Sequence, residues 1–342
     1  MRIVKVLSVL AVLMALGTVG VAAAGQVLLN AAGATFPYPM YSKWFEVYRQ
    51  AHPDVQINYQ SIGSGGGIRQ LLDKTVDFGA SDGPMTDDQL KQASVPILHF
   101  PTVLGADVPS YNLPGVSAEL NFTSEALGGI FLGKITKWND PAITSANPGV
   151  KLPSDDIVVV HRSDGSGTTY IWTDYLSKIS PEWKQKVGTA TSVNWPVGLG
   201  GKGNEGVAGL VQQTPDSLGY IELIYAIQNK IAYGRVKNPA GAFVKADLAS
   251  VSAAAAAVSK AMPDDFRVSI TNAPENKAAY PIASFTWLLI PSKFTDTTKR
   301  DAVKDFLKWM MTDGQQYCEA LAYAKLPQEV VAKELKAIAK IQ

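Results

Sequence analysis

The chain has 342 residues, of which 46% are hydrophobic and 18% charged, with a formal net charge of +1. That balance excludes a disordered chain and is long enough for two domains with ordinary cores. It also argues against a nucleic-acid binder, which carries a basic excess or a basic stripe.

The first 24 residues, "MRIVKVLSVLAVLMALGTVGVAAA", stand apart. Arg2 and Lys5 precede an apolar run, and Ala22 and Ala24 form a small-residue cleavage pattern. This is the grammar of a secretory signal peptide. The apolar stretch almost suffices to span a bilayer, so an uncleaved anchor is the competing reading. Losing Arg2 and Lys5 with the leader takes the net charge from +1 to −1. No second apolar run approaches twenty residues, so the mature chain is expected to be soluble and periplasmic. Cys318 is the single cysteine, which excludes an intramolecular disulfide. None stands at the cleavage site to take a lipid. Cys318 itself reads as a small buried hydrophobe.

Short apolar runs alternate with helical stretches, the pattern of an α/β fold. Strands are expected at 55–59, 157–161, 218–223 and 284–290. Helices are expected at Met40–Gln50, Ile68–Val76, Thr168–Ile179, Asp301–Met311 and Gln328–Ile341, with an alanine-rich one at 252–261. Pro, Gly and Asn cluster in 105–115 and 238–242, which read as turns or domain edges.

Three places repeat one order of parts: an apolar strand, a loop of small residues, an amphipathic helix. They are "VLLNAAGATFPYPMYSKWFEVYRQ", "VQINYQSIGSGGGIRQLLDK" and "IVVVHRSDGSGTTYIWTDYLSKI". The apolar stripes, such as Met40, Tyr41, Trp44, Phe45 and Tyr48, are core faces. The loops carry the chemistry. A helix start leaves backbone N–H groups unpaired, and the macrodipole adds positive charge there. Glycine lets an anion come close. The hydroxyls at these junctions are Thr35, Ser64, Ser166 and Thr168. Each is also explained as a plain N-cap, and each glycine as a tight turn.

In "HRSDGSGTTY", Arg162 offers a planar fork that matches a tetrahedral oxyanion, and Asp164 can hold it in place. The competing reading is a surface ion pair of little value. Asp82, in "DFGASDGPM", is a turn aspartate or the acceptor for a proton that the anion carries. In the second case a carboxylate beside the site rejects sulfate, which brings no proton. An enzyme on phosphate esters, with Ser166 as nucleophile, would need a base in reach; His161 shares the loop but lies on its strand side. Three isolated histidines and one cysteine give no zinc spacing. "GLGGKGNEG" (198–206) lacks the Ser or Thr that must follow the lysine of a phosphate-binding P-loop. It reads as a structural loop near a cleft mouth.

"AGATFPYPMYSKW", "IGSGGGIRQ", "TVDFGASDGPM", "FLGKITKWNDPAI", "RSDGSGTTY" and "WPVGLGGKGNEG" resemble, in the same order, the phosphate-binding proteins of bacterial ABC importers, the PstS type. The resemblance runs from about residue 29 to the C-terminal helix. It implies a two-lobed periplasmic-binding-protein fold of type II, with the ligand in a cleft between lobes joined by two crossover strands. The crossings fall near Phe100–Val103 and Ile270–Thr271. Residues 25–103 and 271–342 then make lobe I, and 104–270 lobe II. Carried over by motif, the phosphate ligands are Thr35, Phe36 (through its backbone N–H), Ser64, Asp82, Arg162, Ser166, Gly167 and Thr168, with Asp164 orienting Arg162. The implied partners are inorganic phosphate and the membrane subunits of an ABC transporter. The resemblance implies a monomer with no catalytic role, cofactor or metal, and another oxyanion is the alternative ligand. Three positions depart from the usual pattern: Gly65 for a second serine, Gly83 for an alanine, and His161 for an arginine.

Overall fold

A computed structural model describes residues 26–273 and 276–342. The leader lies outside the described residues. Among the described residues, no helix is long and apolar enough to cross a membrane.

The chain begins β1 (Val27–Gly33), α1 (Tyr38–Ala51), β2 (Val55–Ser61), α2 (Ser64–Leu72), β3 (Phe78–Ser81), α3 (Asp87–Gln92) and β4 (Ile97–Asn112). It continues with β5 (Asn121–Phe122), α4 (Ser124–Phe131), α5 (Pro141–Thr144), β6 (Val158–Arg162), α6 (Gly167–Ile179) and α7 (Pro181–Lys186). Then come β7 (Leu199–Gly201), α8 (Gly203–Gln213), β8 (Ser217–Glu222), α9 (Leu223–Gln228), β9 (Ala232–Tyr233), β10 (Arg235–Lys237), β11 (Phe243–Val244) and α10 (Leu248–Ser259). β12 (Ala283–Pro291), α11 (Thr297–Met311) and α12 (Gln328–Ala337) close the fold. The expected strands and helices all form, with ends that move by a few residues. α2 differs most, starting at Ser64 and ending at Leu72.

The main sheet runs β2-β1-β3-β12-β4-β8-β6-β7, with β9 also on β4. β1 lies parallel to β2 and β3, as β6 does to β7 and β8. Parallel neighbours need crossover helices, and α1, α2, α6 and α8 supply them. Their N-termini therefore gather at the C-terminal ends of the strands, where ligands bind in open α/β sheets.

β4 is the seam. Residues 97–106 pair antiparallel with β12, and residues 107–112 with β8. The expectation of turns at 105–115 is corrected here: the strand runs through to Asn112, and only Leu113 onward turns away. Gly105 belongs to the strand because Phe36 and Glu222 press against it; a Cβ there would lie within 3 Å of both. Pro101 stands at a bulge, where Thr102 has no opposite residue on β12. The turn expected at 238–242 is present, closed by Asn238 N–H to Ala242 O and Gly241 N–H to Asn238 O.

The helices dock through their apolar stripes. α1 buries Met40, Tyr41, Trp44 and Tyr48, each worth on the order of 1.5–3 kcal/mol. Trp44 also donates its indole N–H to Gly314 O at 2.7 Å. Cys318 is buried, and burial pushes its thiol up to about 12. An inert core sulfur fits both facts.

Candidate functional site

Four helix starts converge on one buried spot. Thr35 and Phe36 precede α1, Ser64 opens α2, Ser166 caps α6 ahead of Gly167 and Thr168, and Lys202 leads into α8. Thr35, Phe36, Ser64, Asp82, Arg162, Ser166 and Thr168 are all 2% exposed or less. Burying polar groups that deep is costly unless they find partners. The contacts between them show how the site is built.

Two glycines set the spacing. Gly63 adopts φ +86, and a Cβ there would strike Asp164 and Gly165. A Cβ on Gly167 would strike the Asp82 carboxylate and the Ser64 hydroxyl. Only glycine lets the start of α6 come this close to the start of α2. The backbone joins the two loops directly, as Gly65 N–H donates to Gly165 O at 2.9 Å.

Arg162 is held from both sides. Its Nε and Nη2 donate to Asp164 Oδ1 and Oδ2 at 2.7 and 2.6 Å, the bidentate geometry that makes Arg–carboxylate pairs strong. Its Nη1 reaches Thr168 Oγ1 at 3.3 Å. Burial opposes the charge on Arg162, but Asp164 outweighs it and raises the guanidinium above its ordinary value. Burial likewise disfavours ionised Asp164, yet Arg162 and the Gly203 N–H hold that carboxyl below its usual range. The pair is ionic, with Arg162 buried and Asp164 half-buried, so the surface-pair reading of this loop does not describe it.

Asp82 behaves differently. Burial raises its carboxyl to about 7, against the hydrogen bond from Thr286, the charge of Arg162 and the hydrogen bond from Ser64. Thr286 donates its hydroxyl to Oδ1 at 2.8 Å. Asp82 N–H donates to Ser64 Oγ at 3.2 Å, and the Ser64 hydroxyl lies 3.5 Å from Oδ2. One oxygen is thus occupied and the other faces the convergence of donors. Two more acids, Asp107 and Glu222, face each other across β4 and β8 nearby. Burial first, and then mutual repulsion with Asp82, pushes both well above the ordinary carboxylate range. That direction favours their uncharged forms, which lessens their repulsion of an anion. With Arg162 and Asp164 cancelling, the attraction comes from backbone N–H groups and hydroxyls more than from net charge.

The sequence-derived set therefore comes together: Thr35, Phe36, Ser64, Asp82, Arg162, Ser166, Gly167 and Thr168, with Asp164 behind Arg162. Two functional candidates were missed. Asn204 donates from Nδ2 to Thr35 Oγ1 at 2.8 Å and to Thr168 Oγ1 at 3.0 Å. "GLGGKGNEG" is thus corrected from a loop at the cleft mouth to a fourth strand–loop–helix junction, whose three-residue strand is too short to show a period. Thr286 was the second, a polar residue inside the apolar run "SFTWLLI".

The departures also find a place. A Cβ on Gly65 would meet Gly165 Cα at 3.0 Å, so the missing serine matches a close passage of two loops. At Gly83 the ring of Tyr170 fills the space of the absent methyl. His161 stacks on Trp195 with ring centroids 4.8 Å apart, and its Nδ1 lies 2.9 Å from Arg162 O. Ser166 Oγ accepts the Thr169 N–H at 3.0 Å as a helix cap. Among the described residues, no three His, Cys, Asp or Glu converge as metal ligands.

Comparison with known proteins places this architecture. Residues 20–314 match the model of the PBP superfamily domain. The phosphate-binding protein PstS of Xylella fastidiosa is 48% identical over 313 residues, covering 91% of this chain and 85% of that protein. The chain belongs to the PstS family. PstS of Pasteurella multocida is 46% identical, with 89% of this chain and 88% of that protein covered. Among solved structures, a high-affinity periplasmic phosphate-binding protein bound with phosphate (PfluDING) has a TM-score of 0.71 at 23% identity, covering 90% of this chain and 93% of that one. An ABC-type phosphate transport receptor from Vibrio cholerae has a TM-score of 0.57 at 20% identity, covering 87% and 100%. Those likenesses fix the fold as the two-lobed one of periplasmic binding proteins. The junctions built from strands, small-residue loops and helices are those on which PstS membership was read from the sequence.

Proposed function

We propose that this chain captures inorganic phosphate in the periplasm and hands it to the membrane subunits of an ABC transporter, acting as a monomer. No chemical step is involved. Lobe I would comprise residues 25–103 and 271–342, and lobe II residues 104–270, with β4 as one crossing. The leader at 1–24 would be cleaved on export.

The ligand would sit where the four helix starts meet. Thr35, Ser64, Ser166 and Thr168 would donate hydroxyls, Phe36 and Gly167 backbone N–H groups, and Arg162 its guanidinium. Together they would replace the hydration shell of the anion. Binding at micromolar Kd needs about −8 kcal/mol net, so a dense set of charge-assisted bonds is required. Contacts from both lobes would favour the closed arrangement and shift the population toward it. The transporter would read the rims of the closed lobes.

Asp82 carries the choice of phosphate. Its Oδ2 lies beside Ser64 and Gly167, and its Oδ1 is already bound by Thr286. An anion that arrives with a proton gives it to the bond with the other oxygen. One without a proton sets two negative oxygens face to face. Sulfate is the second reading, and the same residue disfavours it.

Calorimetric titration of the ligand-stripped mature chain tests this. At about pH 9, where Asp82 is ionised, phosphate should bind tightly while sulfate gives little heat. Equal binding of both would remove the role of Asp82, and binding of neither would reduce the four junctions to structural turns.

A further inference from the structure

We infer that Asn204 is a positioning residue that sets the direction of two hydroxyl hydrogens in the site. The inference rests on the anion reading above.

The amide orientation of Asn204 is fixed. Its Oδ1 accepts the Glu222 N–H at 2.9 Å, so Nδ2 must face the other way. That nitrogen has two hydrogens and meets two oxygens, Thr35 Oγ1 at 2.8 Å and Thr168 Oγ1 at 3.0 Å. Asn204 N–H also points at Thr35 Oγ1, at 3.3 Å. Thr168 Oγ1 takes its second hydrogen bond from Arg162 Nη1 at 3.3 Å.

A hydroxyl oxygen accepts two hydrogen bonds and donates one. Both lone pairs of each threonine are therefore committed. Among the described residues, neither hydroxyl donates to a protein acceptor. Each hydrogen is left to point away from Asn204, toward the spot shared by Ser64, Asp82 and Gly167. A free threonine hydroxyl rotates and spends part of its time as an acceptor, which repels an anion. Asn204 removes that option from two hydroxyls at once. With Asp82 presenting a carboxylate acceptor at that spot, the site would distinguish ligand oxygens that carry a proton from those that do not. Asn204 also ties Thr35, before α1, to Thr168 on α6, so the aim is set only when the two loops are together.

The test is a double-mutant cycle read by phosphate titration of the stripped mature protein. Asn204→Ala is measured alone and in a Thr35→Val/Thr168→Val background. Asn204 acting through the hydroxyls predicts a loss of tenfold or more in the threonine protein and less than twofold in the valine one. Equal losses in both backgrounds, or no loss in the first, would overturn the inference. Where Asn204→Ala fails to fold for want of a partner for the Glu222 N–H, Asn204→Asp keeps that acceptor. Its new charge repels phosphate in both backgrounds, so the difference between them still reads the aim. That difference should be fivefold or more, and its absence counts against the inference. If the unaltered protein fails to bind phosphate, the anion reading falls instead.

Discussion

Burial raises the Asp82 carboxyl to about 7, outweighing the hydrogen bonds and the arginine that favour its charge. The consequence has a sign. Below about 7 the carboxyl holds its own proton and can donate to any oxyanion. Above that value it is ionised and accepts only from a ligand that brings a proton. Sulfate affinity should therefore fall by about tenfold per pH unit above 7, while phosphate affinity falls less. In Asp82→Asn the amide always donates, and the sulfate slope should vanish. Competition titrations across that range decide it; a flat profile in the unaltered protein would show that Asp82 does not gate the choice. This residue was visible in "DFGASDGPM", but its protonation was not. Its depth and its bond to Thr286 depend on a strand two hundred residues away. Asn204 was hidden differently, since an uncharged side chain after a glycine run looks like turn chemistry.

At the scale of elements, α2 and α6 were legible because apolar stripes of helical period follow glycine-rich loops. β4 was not legible over its whole length, since Pro101 stands within it and Gly105 and Pro109 fall in the cluster at 105–115 that reads as turns. The bulge absorbs the first, and close packing demands the second. α12 holds a feature that no pattern announces. Glu334 is fully buried, and neither carboxyl oxygen has a hydrogen-bond partner among the described residues. Burial raises it well above the ordinary value. The folded chain thus keeps a proton that the unfolded chain releases once pH passes the ordinary glutamate range. Its stabilising share is complete below that range and is lost as pH rises toward the folded value. Glu334→Gln carries no such loss. It should gain on the unaltered protein by up to about 1.4 kcal/mol per pH unit in that window. Thermal melts of both proteins at several pH values check this, and parallel curves would refute it.

For the whole molecule, the contacts from α1 and α2 to α6 and α8 make ligand binding and overall stability one measurement. Phosphate at a hundred times its Kd should add about 2.7 kcal/mol to the unfolding free energy, visible as a higher melting point. Sulfate at the same concentration should raise the melt less than phosphate at pH 8, and less again at pH 9. An equal shift from both would mean that the site does not discriminate between them.

β4 also dictates an order of events. Its first ten residues take β12 as a neighbour, and β12 begins at Ala283. Everything from β5 to α10 is made in between. A chain that grows from its N-terminus must leave this edge of its central sheet uncovered until most of its length has appeared. Pairings so distant in sequence make folding slow. A slow folder keeps an unpaired strand edge in reach of other chains, so aggregation during refolding should be governed by the late arrival of one strand, and a separately supplied C-terminal segment from β12 onward is the piece that would quench it.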